Sequence, residues 1–515
     1  MIKGEKEMAN YKKYAEIKNT VIGGDAYAAL VSVSPADAAD LKAQVAEAAA
    51  IDEAGVEICI GRIDIAEVAE AVNACADVLK DKVVVLNLDT TGTDSAASND
   101  QKMNAVKDTA AVVDIYEVNV DANEALLAAV KATGKKLMLA ERYFDGVKKT
   151  EDIIAEAKGA EAKGADLIYL SYMCIDDPDV ITLGYASKEI AASPVVSVPT
   201  SVFPMGEVGF QTRILSKQAG NDFGFYQLQE QEGSLFETYD QYKRMYKLYG
   251  ASYEKIQSEI QYDIDGHVMG GKRFQRCMMI KKRTKNDVIA VAKDVARYNP
   301  DLVEWRIDYL VPMGTTQFVA NYWIDVLKEI KEIMPKVPIL MTFRVKKEGG
   351  LKWYPDEQRL FLTKALLNTG LIAYTDTEID NTPEFIKEMQ DACAANGTKL
   401  VVSQHKWTYT PSHQEIVDTY KECLDKGAAL PKFYMTAVCY EDSVRCSEAM
   451  YDVRTSFLKE PCIITAMGDT GLITRTLGGS IGADFEFIDT TGIRGNEEED
   501  IHYVDQLADI FGYEK

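Results

Sequence analysis

The sequence contains no CxxC pair and no Cys/His cluster at zinc spacing, so its nine cysteines read as reduced, mostly buried thiols. Neither a disulfide framework nor a metal site is expected. No uninterrupted apolar stretch is long enough to span a bilayer, and the opening residues, MIKGEKEMANYKKYAEIKN, lack the apolar run of a signal peptide. The expectation is a cytoplasmic protein with no membrane partner. Positive charge is also in short supply: 57 Lys and Arg against 81 Asp and Glu leave a formal net charge of −24. A nucleic-acid site needs a dense basic face to displace counterions, so nucleic acid is not expected as a partner. A small anion can still be bound where a few arginines converge in a cleft. Histidine is scarce as well, with four residues, His267, His405, His413 and His502, all in the second half of the chain. The first half therefore has no imidazole to act as an acid or base.

What the chain does have is an ordinary globular composition, 47% hydrophobic and 27% charged, over 515 residues. That length exceeds what one hydrophobic core usually supports, so two domains are expected. Short β-rich runs alternate with Ala/Lys/Glu-rich helical stretches, the rhythm of βα units around a parallel sheet. In the first half the pattern predicts strands near 28–33, 56–60, 83–88, 113–117, 137–139, 167–170, 195–198 and 223–225. In the second it predicts strands near 277–282, 302–307, 337–343, 374–378, 400–403, 431–435, 463–466 and 484–487. Each half is close to the ~250 residues of a (β/α)8 barrel, so the predicted fold is α/β, two tandem (β/α)8 TIM barrels.

The halves also resemble one another in letters. MGEVGFQTRILSKQAGNDFGF from Met205 lies on MGDTGLITRTLGGSIGADFEF from Met467, GADLIYLSYM from Gly164 on GAALPKFYMT from Gly427, and KLMLAER from Lys136 on KLVVSQH from Lys399. A constant offset of 262 or 263 residues marks a tandem duplication, with its junction in the polar, Tyr-rich segment 250–266. The duplicates differ in chemistry: Lys432 falls opposite Tyr169 and His405 opposite Arg142. Arg213 matches Arg475, while Arg62 with Asp64 only loosely echoes Arg306 with Asp308. Residues 1–250 are therefore expected to form a degenerate, non-catalytic barrel and residues 251–515 the catalytic one.

In the second half, five motifs stand at the ends of different predicted strands, where barrel enzymes assemble their sites. Lys432, in GAALPKFYM, sits among small and apolar residues. Burial and neighbouring positive charge would lower its pKa and free the amine as a nucleophile; alternatively its stem packs while its head reaches water. VEWRIDYL puts Glu304, Arg306 and Asp308 at alternate positions, either as part of a site or as an inward ion-pair network. LMTFRVKKEGG carries Arg344 and Glu348, and YTDTEID carries Asp376 and Glu378 as carboxylates to orient basic groups. VVSQHKW leaves His405 at the barrel mouth, and AMGDTGLITRTLGG brings Arg475 to a glycine turn suited to an anionic group. An amine, an imidazole, a carboxylate and several guanidinium groups suit proton abstraction next to an imine of a carboxylate-bearing substrate. No cofactor is called for.

The combination EWRID, TFRVKKEGG, a strand-end histidine, a Pro-Lys strand and MGDTGLITR resembles type I 3-dehydroquinate dehydratase, the Schiff-base dehydratase of the shikimate route. The likeness runs from about residue 277 to 489. It implies that Lys432 forms an imine with the ketone of 3-dehydroquinate and that His405, assisted by Glu348, removes the C2 proton and protonates the departing hydroxyl. It further implies that Arg475 holds the substrate carboxylate, and that Glu304, Arg306 and Arg344 contact ring hydroxyls or tune the lysine in an electropositive pocket. The expected partner is thus a small anionic carbocycle.

The family closes its site with a loop carrying a serine and a glutamine. This chain reads DTTGIRGNEEED there, offering Thr490, Thr491, Arg494 and Asn496, of which Thr491 and Asn496 are the candidate substrate contacts. Lys406 also follows His405 where the resemblance leads to the expectation of a shorter polar or acidic residue. Two other readings stand beside the dehydratase: another imine-forming lyase resembling a class I aldolase, and a non-catalytic protein that captures a small carboxylate. Homo-oligomer formation and packing of one barrel on the other are both left open.

Overall fold

The structure, a computed structural model, describes residues 13–52, 54–61, 63–89, 97–192, 194–231, 233–250, 255–264, 266–490 and 499–513. The chain divides into two compact units, residues 1–246 with 506–515, and residues 247–505. Each holds a sheet of parallel strands with a helix after nearly every strand, wrapped into a nearly closed (β/α)8 barrel.

In the first unit the strands are Ala28–Val33, Gly55–Cys59, Val84–Asn87, Ile115–Asn119, Lys136–Tyr143, Leu167–Met173, Thr200–Met205 and Phe223–Gln227. In the second they are Gln275–Ile280, Leu302–Arg306, Ile339–Thr342, Tyr374–Glu378, Lys399–Lys406, Leu430–Thr436, Ile463–Met467 and Phe485–Asp489, with Glu499–Asp500 added beside the eighth. Both ladders run from the eighth strand through the first to the seventh. Among the described residues the seventh and eighth strands share no ladder; they meet just below it, where the Asp484 N–H donates to the Cys462 carbonyl at 2.9 Å.

The two-residue period of the strands explains how the second unit builds its layers. Along Leu302–Arg306, Val303 and Trp305 face outward into the core shared with helix Thr316–Ile333, where Trp323 packs edge-on against Phe343 and donates its indole N–H to the Leu310 carbonyl. Leu302 faces inward with Cys277, Leu340, Val401, Leu430 and Phe485, filling the barrel from below. The inward positions nearer the carboxyl ends, Glu304 and Arg306 among them, are polar and stand on this apolar floor.

Fifteen of the sixteen predicted strands overlap observed ones; the exception is 195–198. That run, VVSV between Pro194 and Pro199, links a helix to the true seventh strand, Thr200–Met205, which carries Pro204. A proline is tolerated there because the strand borders the unpaired seam, where a ladder N–H is not required. Each unit also begins with a short antiparallel hairpin absent from the predicted pattern, Tyr14–Ile17 with Thr20–Gly23 and Tyr262–Ile264 with His267–Met269.

Candidate active site

A pocket opens at the carboxyl end of the second barrel, about 280 Å³ with the solvent at its mouth included, lined by Met279, Glu304, Arg306, Arg344, Glu348, His405 and Lys432 together with Trp407, Tyr434 and Phe487. Lys432 and His405 come from adjacent strands, in a register that sets Lys432 beside Ser403 and His405 beside Tyr434. The Lys432 side chain is buried, and its Nζ lies 3.5 Å from Asp376 Oδ2 and 3.7 Å from Glu304 Oε1. The faces of Phe487 and Tyr434 lie 4.5 and 5.3 Å from the same nitrogen. Its closest ionic partners are therefore carboxylates rather than the cations anticipated from sequence. Glu304 is held by the Thr342 hydroxyl, which donates at 2.6 Å.

His405 Nδ1 lies 2.9 Å from Glu348 Oε2, and the imidazole stacks on Trp407 with ring centroids 5.4 Å apart. Burial, reinforced by Arg344, Lys432 and Arg306, holds the imidazole well below its ordinary titration range. Burial likewise pushes the Glu348 carboxyl up to about 7, with Arg344 pulling it down and Glu378, Asp376 and Asp380 pushing it up. A neutral imidazole that donates Nδ1–H to ionised Glu348 keeps its other nitrogen as a proton acceptor. Backbone geometry fixes the carboxylate. The turn Lys346–Glu348 ends at Gly349 with φ +89°, and a Cβ on Gly350 would lie 2.0 Å from the Arg344 carbonyl oxygen.

The guanidinium groups are less available than a sequence reading suggests. Arg344 Nη2 donates to Asp376 at 2.9 Å, and its Nη1 to Glu378 at 3.0 Å and Ser403 at 2.8 Å. Burial opposes its charge, but Asp376, Glu378 and Glu348 outweigh that and hold it above its ordinary value. For Asp376 burial pushes upward, while Arg344 and Lys432 prevail and keep the carboxyl below the usual range. Arg306 forms a fork with Asp308, at 2.9 and 3.1 Å. Arg475 does not line the pocket; its Nε faces Glu486 Oε1 at 3.7 Å. The three cations of the pocket wall, Lys432, Arg306 and Arg344, each meet at least one carboxylate, and together they still oppose protonation of the His405 imidazole.

Period two along the strands could have revealed four lining residues that the sequence reading passed over, Met279 two beyond the inward Cys277 among them. Tyr434 follows Lys432 by two, Trp407 follows His405 by two, and Phe487 follows the inward Phe485 by two. Thr491 and Asn496, with Arg494 and Arg62, lie outside the described residues. Thr490 donates its hydroxyl to Asp294 at 3.0 Å. Among the described residues no group of three or more His, Cys, Asp or Glu is arranged to hold a metal, and no helix is long and apolar enough to cross a membrane.

In the first barrel the fifth and sixth strands keep the same register, with Ala140 beside Tyr169 where Ser403 stands beside Lys432. Tyr169 occupies the lysine position, packed against Phe203, Phe223 and Phe225. Arg142 replaces the histidine and pairs with Glu117 and Glu57. Burial raises the Glu117 carboxyl to about 8, with Arg142 opposing it.

Parallel barrels with titratable side chains converging at the carboxyl ends of several strands are the architecture of a TIM-barrel enzyme. The model of the type I 3-dehydroquinase family matches residues 29–252 and again 276–492, and the chain belongs to that family. The 3-dehydroquinate dehydratase of Clostridioides difficile strain 630 is 29% identical over 219 residues, which are 42% of this chain and 84% of that protein. The enzyme of the same name from Klebsiella pneumoniae strain 342 is 28% identical over 212 residues, 41% of this chain and 82% of its own length. A crystal structure of type I 3-dehydroquinate dehydratase from Clostridium difficile with covalently modified comenic acid superimposes with a TM-score of 0.46 at 25% identity, covering 49% of this chain and 97% of that one.

Proposed function

We propose that the second barrel converts 3-dehydroquinate to 3-dehydroshikimate by way of an imine on Lys432. The amine adds to the substrate ketone and water leaves, giving an iminium that acidifies the adjacent C–H bonds. His405 takes the C2 proton, with ionised Glu348 stabilising the imidazolium so formed. The resulting enamine expels the C1 hydroxyl, to which His405 returns the proton, so a second water departs on the face from which the proton came. Hydrolysis of the product imine consumes one water and restores the lysine, and the sum is loss of one water from the substrate.

One observation carries this reading: Lys432 and His405 stand on neighbouring strands and line one small pocket, with Glu348 within hydrogen-bond distance of the imidazole. The first barrel has a phenol and a guanidinium at these positions, and we assign it no turnover.

Borohydride added with 3-dehydroquinate is expected to leave a mass adduct on the intact protein that disappears in Lys432→Ala. An adduct surviving that substitution would refute the imine. His405→Ala is expected to lower kcat by about 10²–10⁴-fold while the adduct still forms, and unchanged turnover would remove His405 from the base role.

A further inference from the structure

Two buried carboxyl groups cross the unpaired seam between the seventh and eighth strands of the second barrel, Asp484 at its foot, where it accepts from the Cys462 N–H at 2.8 Å, and Glu486 nearer the pocket. Its Oε2 accepts from the Thr465 hydroxyl on the seventh strand at 2.9 Å. Its Oε1 accepts from the Tyr434 hydroxyl on the sixth strand at 3.3 Å and faces Arg475 Nε, from the short helix Leu472–Thr476, at 3.7 Å. The Cys277 thiol on the first strand also feels this carboxyl, and the Phe487 amide supports it from its own strand. Tyr434 connects this cluster to the pocket, since its ring forms one wall and lies 5.6 Å from the His405 ring.

We infer that Glu486 is a specificity-determining residue that competes with a substrate carboxylate for Arg475, so that the site accepts its anionic substrate most readily when Glu486 is uncharged. The inference rests on the reading of Arg475 as holder of that carboxylate. A guanidinium opposite a buried carboxylate is already neutralised, and because Arg475 lies beyond the Tyr434 wall, an incoming anion must both draw it toward the pocket and displace that partner or share the cation with it. Displacement meets little resistance when the resident acid carries a proton. Burial pushes the Glu486 carboxyl up to about 7, with Arg475, the Phe487 amide, Thr465 and Tyr434 opposing the rise. Above that pH the resident anion competes; below it Arg475 is released to the ligand. The Tyr434 hydroxyl steadies the anionic form and so favours the competitor.

The test is calorimetric binding of quinate, a carbocyclic carboxylate, and of its carboxamide to the full-length protein and to Glu486→Gln and Tyr434→Phe, at pH 6 and pH 8. Quinate is expected to bind the wild-type protein about tenfold more weakly at pH 8 than at pH 6, one pH unit of competition above the Glu486 midpoint. Glu486→Gln should lose most of that difference, keeping only the part that Glu348, titrating in the same range on the pocket wall, imposes, and should bind at least as tightly as wild type at pH 6, with Tyr434→Phe between the two. The carboxamide should show no such dependence. Quinate binding that is independent of pH in the wild type, or as weak in Glu486→Gln as in wild type at pH 8, overturns the inference, and so does an equal gain for the carboxamide, which would report packing alone. Failure of the dehydratase reading registers elsewhere, as absence of the borohydride adduct and of the conjugated enone product.

Discussion

On the proposed mechanism, the contact between His405 and Glu348 ties turnover to pH. Below about 7 Glu348 carries a proton and donates it to His405 Nδ1, which forces the imidazole hydrogen onto the other nitrogen and leaves no lone pair there to accept one from substrate. Above about 7 the carboxylate accepts Nδ1–H instead, and the acceptor lone pair is exposed. Turnover should therefore rise as pH increases through about 7 and then level off. The imidazole itself adds no limb in that range, because burial and the nearby cations hold its titration well lower. Glu348→Gln is expected to flatten this limb and to lower the plateau, both read from kcat between pH 5.5 and 9; a limb that persists in the variant would assign it to another group. The pairing of His405 with Glu348 was legible from the motif resemblance. The tie between Arg475 and Glu486 was not, because strand alternation turns Glu486 away from the inward Phe485 and Phe487. Only the unpaired seam lets its carboxyl reach Tyr434 and Thr465.

Among the elements, the strands were readable and the joints were not. Alternation of apolar and polar residues along Leu302–Arg306 and Leu430–Thr436 already separates the helix-facing side from the side that bears Glu304, Arg306 and Lys432. The seventh strand of the first barrel was misplaced because VVSV has the stronger β composition, whereas Thr200–Met205 contains a proline that only a seam position excuses. The hairpins preceding each barrel have strands of three or four residues, too short for periodicity to register. On the helical side, Trp323 anchors helix Thr316–Ile333 against Phe343, at the end of the strand that leads to Arg344 and Glu348. Trp323→Ala is expected to cost about 3–5 kcal/mol, measured by denaturant unfolding of the full chain. A loss below about 1 kcal/mol would show that the outer layer relaxes around the gap.

For the whole molecule, the duplication was legible because long stretches of the halves align at a fixed offset, and the matched registers of the fifth and sixth strands carry that correspondence into three dimensions. At the fifth and sixth strands, residue type sets the copies apart. On the proposed mechanism, a chain of 57.1 kDa with Tyr169 in one barrel and Lys432 in the other has one imine-forming amine. Titration of the full-length protein with 3-dehydroquinate and borohydride should saturate at one adduct per polypeptide. Two would restore the first barrel as a working site. On the reading that only the C-terminal copy turns over, the N-terminal copy is under no demand from catalysis and its mouth is open to sequence drift, so specific activity per milligram should be about half that of a single-barrel enzyme of equal kcat.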